Sequence, residues 1–271
     1  MVMCLADIVD YQRYPLRDEK MAAIVTRARN DFEQQLVCTL PNFLTPNARQ
    51  TMLQEATDLL PQSHHNQALR NCYLSGTGDS NYSSQHPLNR QDRSSVRMIA
   101  YDQLSDTSML RFLYESTEFR ELVAGIVNLG ELFANEDPYQ PANYACYQAG
   151  DESAWHFDSN NAFTITLMIQ AADAGGEFEL SPNTRSAADE HYDDVAAVLN
   201  GERTAATKRL NRTPGELCLF AGCHSLHRVT QVTGTTQRIM AVFVYERSPG
   251  CTGDPSVNAT VYGPRTRRAL D

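Results

Sequence analysis

The chain has 271 residues, 42% of them hydrophobic, and a formal net charge of −10. That length supports a full hydrophobic core, and a charged fraction of 21% with 14 glycines and 12 prolines, near globular averages, excludes wholly disordered, collagen-like and coiled-coil chains. No apolar run approaches the ~18 residues of a membrane helix. So acidic a chain is a poor partner for nucleic acid or anionic membrane unless it hides a basic groove. The N-terminal stretch carries Asp7 and Asp10 within its apolar part and lacks the basic start of a signal peptide. The seven cysteines form no CxxC pair. Reduced thiols in a cytoplasmic protein are the expectation.

In chain order, apolar residues at helical spacing predict a helix over 16–37, with Met21, Ile24, Val25, Ala28, Phe32 and Leu36 on one stripe. LPNFLTP is a connection; Thr45 then caps a second helix, with Pro46 in its first turn, running to about Leu60. Residues 61–92 are polar and irregular and read as a long loop or lid. Ser95–Tyr101 alternates like a strand, and 106–128 reads as one or two helices, Thr117 capping the second.

From Asn143 the texture changes. NYACYQ, FTITLMIQ, GGEFEL, ELCLF, SLHRVTQV and QRIMAVFVYE are β-branched or aromatic runs parted by turn residues. One helix, DEHYDDVAAVLNG, interrupts them and ends at Gly201. Helices first and antiparallel strands afterwards predict an α+β fold with a sandwich or jelly roll and helices packed outside.

Chemistry concentrates in Trp155-His156-Phe157-Asp158. On a strand, residues two apart share a face, so His156 and Asp158 point the same way. An imidazole and a carboxylate on one face are two ligands of a metal site, and AGCHSLHRVTQV supplies His224 or His227 as a third. Two histidines and one carboxylate form the facial set that suits Fe(II) and leaves open positions.

The stretch from His227 to Glu246 reads as a hairpin with Thr233–Thr236 as its loop. In that register His227, Val229 and Gln231 share a face with Arg238, Met240, Val242 and Val244. His227 therefore has Arg238 for company, and His224, three residues earlier, points the other way. An inward arginine among apolar residues needs an anionic partner. No acid lies near it in sequence, and its fork suits a ligand carboxylate.

HxD, a later His followed by Arg-Val, and an arginine eleven residues on resemble the Fe(II)/2-oxoglutarate-dependent oxygenases. The segment NYACYQAGDESAWHFDSNNAFTITLMIQAADAGGEFEL resembles the prolyl-hydroxylase-like branch, and more closely the branch of free-amino-acid hydroxylases and halogenases. The likeness spans roughly 95–250 and, more loosely, 32–60. It implies a single oxygenase domain over 1–271. Residues 1–130 would be mainly helical support with the lid at 61–92, 143–247 a double-stranded β-helix (jelly-roll, cupin-like) core, and 248–271 a tail.

It further implies Fe(II) on His156, Asp158 and His227, O₂ as oxidant, and 2-oxoglutarate held by Arg238 with Tyr147 nearby. In that branch an arginine in the region of the Ser95–Tyr101 strand grips the substrate carboxylate; Arg90, Arg93 and Arg97, which precede or enter that strand, are either surface charges or open for this role. Ser159, Asn160 and Asn161 either close a turn or donate to substrate, and Val242 and Val244 would line the pocket. Halogenating members carry a small residue where Asp158 stands, so the carboxylate points to oxygen-derived chemistry. A small-molecule substrate, a free amino acid, is implied. The alternatives are a peptidyl residue, desaturation or cyclisation of a small precursor, and a metal-binding cupin-like module that is no enzyme.

Overall fold

The computed structural model describes residues 3–158, 163–202 and 207–270. The chain opens with α1 (Leu5–Ile8), α2 (Met21–Gln35), β1 (Val37–Leu40), α3 (Pro46–Leu59), β2 (His64–Arg70) and β3 (Asp92–Ile99). Next come α4 (Met109–Glu115), α5 (Thr117–Val127), β4 (Phe133–Ala134), β5 (Ala142–Tyr147), β6 (Ser153–His156), β7 (Thr164–Gln170) and β8 (Phe178–Ser181). After α6 (Tyr192–Leu199) follow β9 (Lys208–Leu210), β10 (Leu217–Phe220), β11 (Leu226–Val229), β12 (Arg238–Phe243), β13 (Tyr245–Glu246) and α7 (Pro255–Val261). Among the described residues no helix is long and apolar enough to cross a membrane.

Strand alternation builds the layers. Seven strands form an antiparallel sheet in the order β1-β10-β7-β12-β5-β3-β2, and four form a second, β6-β11-β8-β9. On β12, Ile239, Ala241 and Phe243 enter one apolar core with Phe119 and Val123 of α5. Val242, between two of them, packs on another core with Phe178 and Val229 of the smaller sheet, and Met240 lines the cavity on the same side. On β5, Tyr144 and Cys146 face the helices while Ala145 and Tyr147 face the second sheet. The result is helices, large sheet, small sheet. Each fully buried Ile, Leu or Phe side chain in these cores contributes about 1.5–3 kcal/mol.

Several expectations shift. The helix expected over 16–37 is α2, which begins at Met21 and ends at Gln35; Leu36 caps it in the left-handed conformation (φ 58°) and hands over to β1. Thr45 caps α3 as expected, accepting from the Ala48 N–H at 3.1 Å. Ser116 rather than Thr117 caps α5, accepting from the Phe119 N–H. Residues 61–92 are not one loop. Their first part is β2, paired with β3 from His64–Met98 to Arg70–Asp92.

The His227–Glu246 hairpin does not form. β11 pairs with β6 and β8, whereas β12 pairs with β5 and β7, so the two strands belong to different sheets. Thr233–Thr236 is still a turn, but the Asp173 carboxylate accepts from the Thr235 and Thr236 N–H groups and draws it over 173–176. His227 and Arg238 therefore approach one interior from opposite walls instead of sharing one face.

Candidate metal centre

Backbone pairing brings the two histidines together. His156 ends β6 and stands directly opposite His227 on β11, with a register shift between this rung and Ser153–Val229. Such a bulge re-aims side chains beside a site. The rings lie 4.2 Å apart, centroid to centroid. His156 Nδ1 is 2.8 Å from the Ala154 carbonyl, and His227 Nδ1 is 2.9 Å from the Ser225 carbonyl. A carbonyl only accepts, so each Nδ1 carries the proton and each Nε2 presents a lone pair inward.

Asp158 follows the end of β6, where its N–H donates to the Gly222 carbonyl at 3.1 Å. Its Oδ1 lies 3.7 Å from His156 Nε2 and its Oδ2 3.5 Å from His227 Nε2. Thr164 Oγ1 donates to Oδ2. The carboxylate packs so closely on Gly222 that a Cβ there would overlap Oδ2. The three ligand atoms lie within 4.8 Å of one another. Metal bonds of about 2.0–2.2 Å to nitrogen and oxygen ligands demand such convergence. Burial would raise the Asp158 pKa, but His227 beside it and the Thr164 hydrogen bond hold it well below the ordinary carboxylate range. Burial, then proximity to His227, pushes His156 down to about 4, leaving a neutral donor. The donor set fits Fe(II).

His224 is not in this cluster. Its Nδ1 is buried without a hydrogen-bond partner, and its carbonyl accepts from the Thr184 and Arg185 N–H groups. Choosing His227 by its company with Arg238 reached the clustered residue through a register that the structure does not have.

Arg238 opens β12 opposite Tyr147 on β5 and is fully buried. Its guanidinium sits 5.3 Å from the Tyr147 ring centroid, and Nη2 contacts Met240 Sδ at 3.7 Å. Nε and Nη1 have no hydrogen-bond partner. Burial lowers its pKa to about 10. Gly176, at φ +67°, passes beside it, and a Cβ there would approach Arg238 Cδ to 3.2 Å. A buried cation without an acid is costly by several kcal/mol unless an anion arrives. An orphaned fork of this kind fits a carboxylate ligand.

A cavity of about 290 Å³ opens on the metal cluster, with His156, Asp158, His227, Tyr147, Met240 and Val242 in its wall; Arg238 is not in that wall but touches two of its residues, Tyr147 and Met240. Val244 lies beyond the end of β12 and does not line it. Arg93 and Arg97 do not line it either. They alternate with Ser94, Val96 and Met98, which do. Arg97 pairs with Asp151 at 2.6 Å and Arg93 with Glu152 at 3.7 Å. Arg90 pairs with Asp92 and donates to the Leu199 carbonyl. Ser159, Asn160 and Asn161 lie outside the described residues. Trp155 is half-buried on the cavity wall, with Arg228 over its ring.

Five contributing residues were missed in the sequence. Thr164 and Gly222 hold Asp158 from other elements, and nothing local signals them. Asn66, Ala68 and Arg70 line the cavity from β2, and their spacing of two inside HHNQALR was the one available sign.

The model of the HalD (Halogenase D) family matches residues 20–260. No curated protein sequence matches the chain. Among solved structures, a 2OG-Fe(II) oxygenase family oxidoreductase from Burkholderia pseudomallei is 14% identical (TM-score 0.51), covering 84% of this chain and 92% of its own. A prolyl hydroxylase from Trichoplax adhaerens, in complex with a hypoxia inducible factor peptide, is 13% identical (TM-score 0.54), covering 93% and 95%. The epimerase SnoN, solved with Fe³⁺, α-ketoglutarate and nogalamycin RO, is 15% identical (TM-score 0.54), covering 83% and 84%. At these identities the likeness is one of fold.

Proposed function

This chain belongs to the Halogenase D family and carries the fold of the Fe(II)/2-oxoglutarate-dependent oxygenases, and we propose that it hydroxylates an unactivated C–H bond of a small amine-bearing acid, a free amino acid foremost. It is an oxygenase with Fe(II), 2-oxoglutarate and O₂ as its cofactor and co-substrates, and succinate and CO₂ as co-products. His156, Asp158 and His227 hold the iron. Arg238 takes the distal carboxylate of 2-oxoglutarate, with Tyr147 beside it. The observation that carries this reading is a three-ligand cluster on one cavity and, beside Tyr147 of that cavity's wall, a buried guanidinium whose Nε and Nη1 have no hydrogen-bond partner.

Bound iron, with 2-oxoglutarate and O₂, supplies the oxidising power to remove a hydrogen atom from an aliphatic C–H bond. The chain's residues do the positioning. Ala154 and Ser225 carbonyls fix the imidazole orientation. Thr164 and the Gly222 backbone fix the carboxylate. Met240 and Val242 keep the wall apolar and exclude water. The core around this cavity reads as a double-stranded β-helix, a reading supported by the two antiparallel sheets that enclose it.

Oxygen insertion is favoured over halogenation. Asp158 fills the position that a small residue leaves open to chloride in halogenating members of the branch, and here the carboxylate is packed against Gly222. A cytoplasmic site of action belongs to the same reading, supported by seven free cysteines, five of them buried.

The test is succinate release from 2-oxoglutarate with Fe(II) and O₂, across the free amino acids, with product mass recorded. Fe(II)-dependent succinate with a gain of one oxygen is expected. No succinate with any member of the panel overturns the reading.

A further inference from the structure

A leucine rarely takes the left-handed backbone conformation, because its Cβ there crowds the following carbonyl oxygen. Among the described residues two leucines do, Leu36 and Leu74. Leu36 has an ordinary reason. It ends α2, where its N–H donates to the Phe32 carbonyl, and its side chain packs on the helix-facing core. Leu74 (φ 62°) ends no helix and belongs to none of the apolar cores. Its side chain is 41% exposed and yet stands in the wall of the metal cavity. Among the described residues of that wall it is the one exposed residue. Glycine would hold the same turn without the crowding. A strained residue kept beside a binding cavity is a sign of function.

The turn that carries Leu74 is held from several sides. The Asn71 carbonyl accepts from the Leu74 N–H at 3.0 Å, and the Asn71 N–H donates to the Ser75 carbonyl at 2.9 Å. The Asn71 carboxamide oxygen accepts from the Tyr73 and Ser75 N–H groups, each at 3.0 Å, and its Nδ2 donates to the Leu88 carbonyl at 2.7 Å. The same turn is fastened to the metal ligands. The Cys72 carbonyl accepts from the Phe157 N–H at 2.8 Å, and Phe157 stands between His156 and Asp158 in the chain. The Tyr73 and Phe157 rings lie 5.4 Å apart, and the Arg185 guanidinium sits over Phe157 at 4.2 Å. Leu74 is thus presented at a fixed place, two residues from a hydrogen bond to the ligand segment. The cavity wall also carries Val96, Met98, Met240 and Val242, so an apolar group resting on Leu74 has apolar company.

We infer that Leu74 is a specificity-determining contact, which covers the aliphatic part of the substrate at the cavity mouth and so selects for chain length. The inference rests on the oxygenase reading and narrows its substrate class to acids with an extended aliphatic side chain. In the free protein Leu74 stands partly in water, and nothing packed on it offsets the strain of its backbone. An aliphatic chain laid against it takes both apolar surfaces out of water, with roughly a fourfold gain in affinity per buried methylene. A short side chain does not reach Leu74 and gains nothing from it. The same cover keeps water away from the bonds nearest the metal.

The experiment is calorimetric titration of the full-length protein, loaded anaerobically with Fe(II) and 2-oxoglutarate, using L-norleucine and L-2-aminobutyrate. The two share one head group, so the cost of placing its charges cancels in their ratio. The unmodified protein is expected to bind L-norleucine about tenfold more tightly. L74G and L74A are each expected to lose at least about threefold on L-norleucine and less than about twofold on L-2-aminobutyrate, while L74M, whose side chain reaches as far, keeps the ratio within about twofold. Thermal unfolding of the free proteins supplies a second readout. L74G should unfold at or above the temperature of the unmodified protein, and L74A, which keeps a Cβ at φ 62°, below L74G. Equal losses on both ligands, an unchanged L-norleucine affinity in L74G, binding of neither ligand, or L74G unfolding below the unmodified protein overturns the inference; the last outcome would make Leu74 a packing residue. A prior titration with 2-oxoglutarate alone tests the oxygenase reading separately. If that anion binds and chain length has no effect, only the inference on Leu74 falls.

Discussion

His156 and His227 face each other across one antiparallel rung of the small sheet, with Asp158 reaching both Nε2 atoms from just beyond the strand end. The pairing of β6 with β11 thus creates the ligand set, and each imidazole is oriented by its own backbone carbonyl. Replacing His156, Asp158 or His227 by Ala should lower Fe(II) affinity by more than about a hundredfold, since loss of an outer-shell partner alone costs about 10–100-fold. His224→Ala should leave affinity within about twofold. Anaerobic competition against a chelator measures both; tight binding by His227→Ala would remove that residue from the set.

Gly222 tests whether the carboxylate's position matters as much as its presence. A Cβ at 222 would overlap Asp158 Oδ2 and crowd Thr164 Oγ1. Gly222→Ala should therefore weaken Fe(II) binding at least about tenfold, while circular dichroism shows the fold intact. Gly76→Ala, where a Cβ meets nothing within 4 Å, is the matched control. Equal affinities in the two variants would show that Asp158 does not depend on this backbone approach.

Much of this centre was legible locally. HxD brings two candidate ligands together, although Asp158 lies just beyond the end of β6 and not on it, and an arginine in an apolar strand calls for an anion. The pairing of strands was not legible. Val-Thr-Gly-Thr-Thr between two β-branched runs reads as a hairpin, yet β11 finds β6 and β8 while β12 finds β5 and β7. Turn chemistry sets a local preference of a few kcal/mol at most; burying both faces of β12 between helices and the small sheet outweighs it. β2 escaped for a different reason. Its inward residues, Asn66, Ala68 and Arg70, face a polar part of the cavity, so the apolar alternation that marks a strand is absent.

Arg238 carries a prediction with two signs. Arg238→Met removes a charge-assisted pair with 2-oxoglutarate worth about 1.5–3 kcal/mol, so KM for 2-oxoglutarate should rise roughly 10–100-fold. The same change relieves a buried guanidinium whose Nε and Nη1 have no partner. Without 2-oxoglutarate the variant's unfolding temperature should equal or exceed that of the unmodified protein. A large drop in stability together with an unchanged KM would make Arg238 a structural residue and place the co-substrate elsewhere.

The last prediction concerns the product. Asp158 offers the candidate metal cluster a carboxylate that Thr164 and the Gly222 backbone hold in place. A chloride ion would have to displace that group and leave its negative charge buried and unpaired, a cost of several kcal/mol. Product masses recorded with sodium chloride and with sodium sulfate at matched ionic strength should therefore be the same, each showing a gain of one oxygen. Succinate yield should also be indifferent to the anion. A product carrying chlorine in the chloride arm alone would show that the carboxylate yields its position, and the assignment of Asp158 as a metal ligand would fall with it.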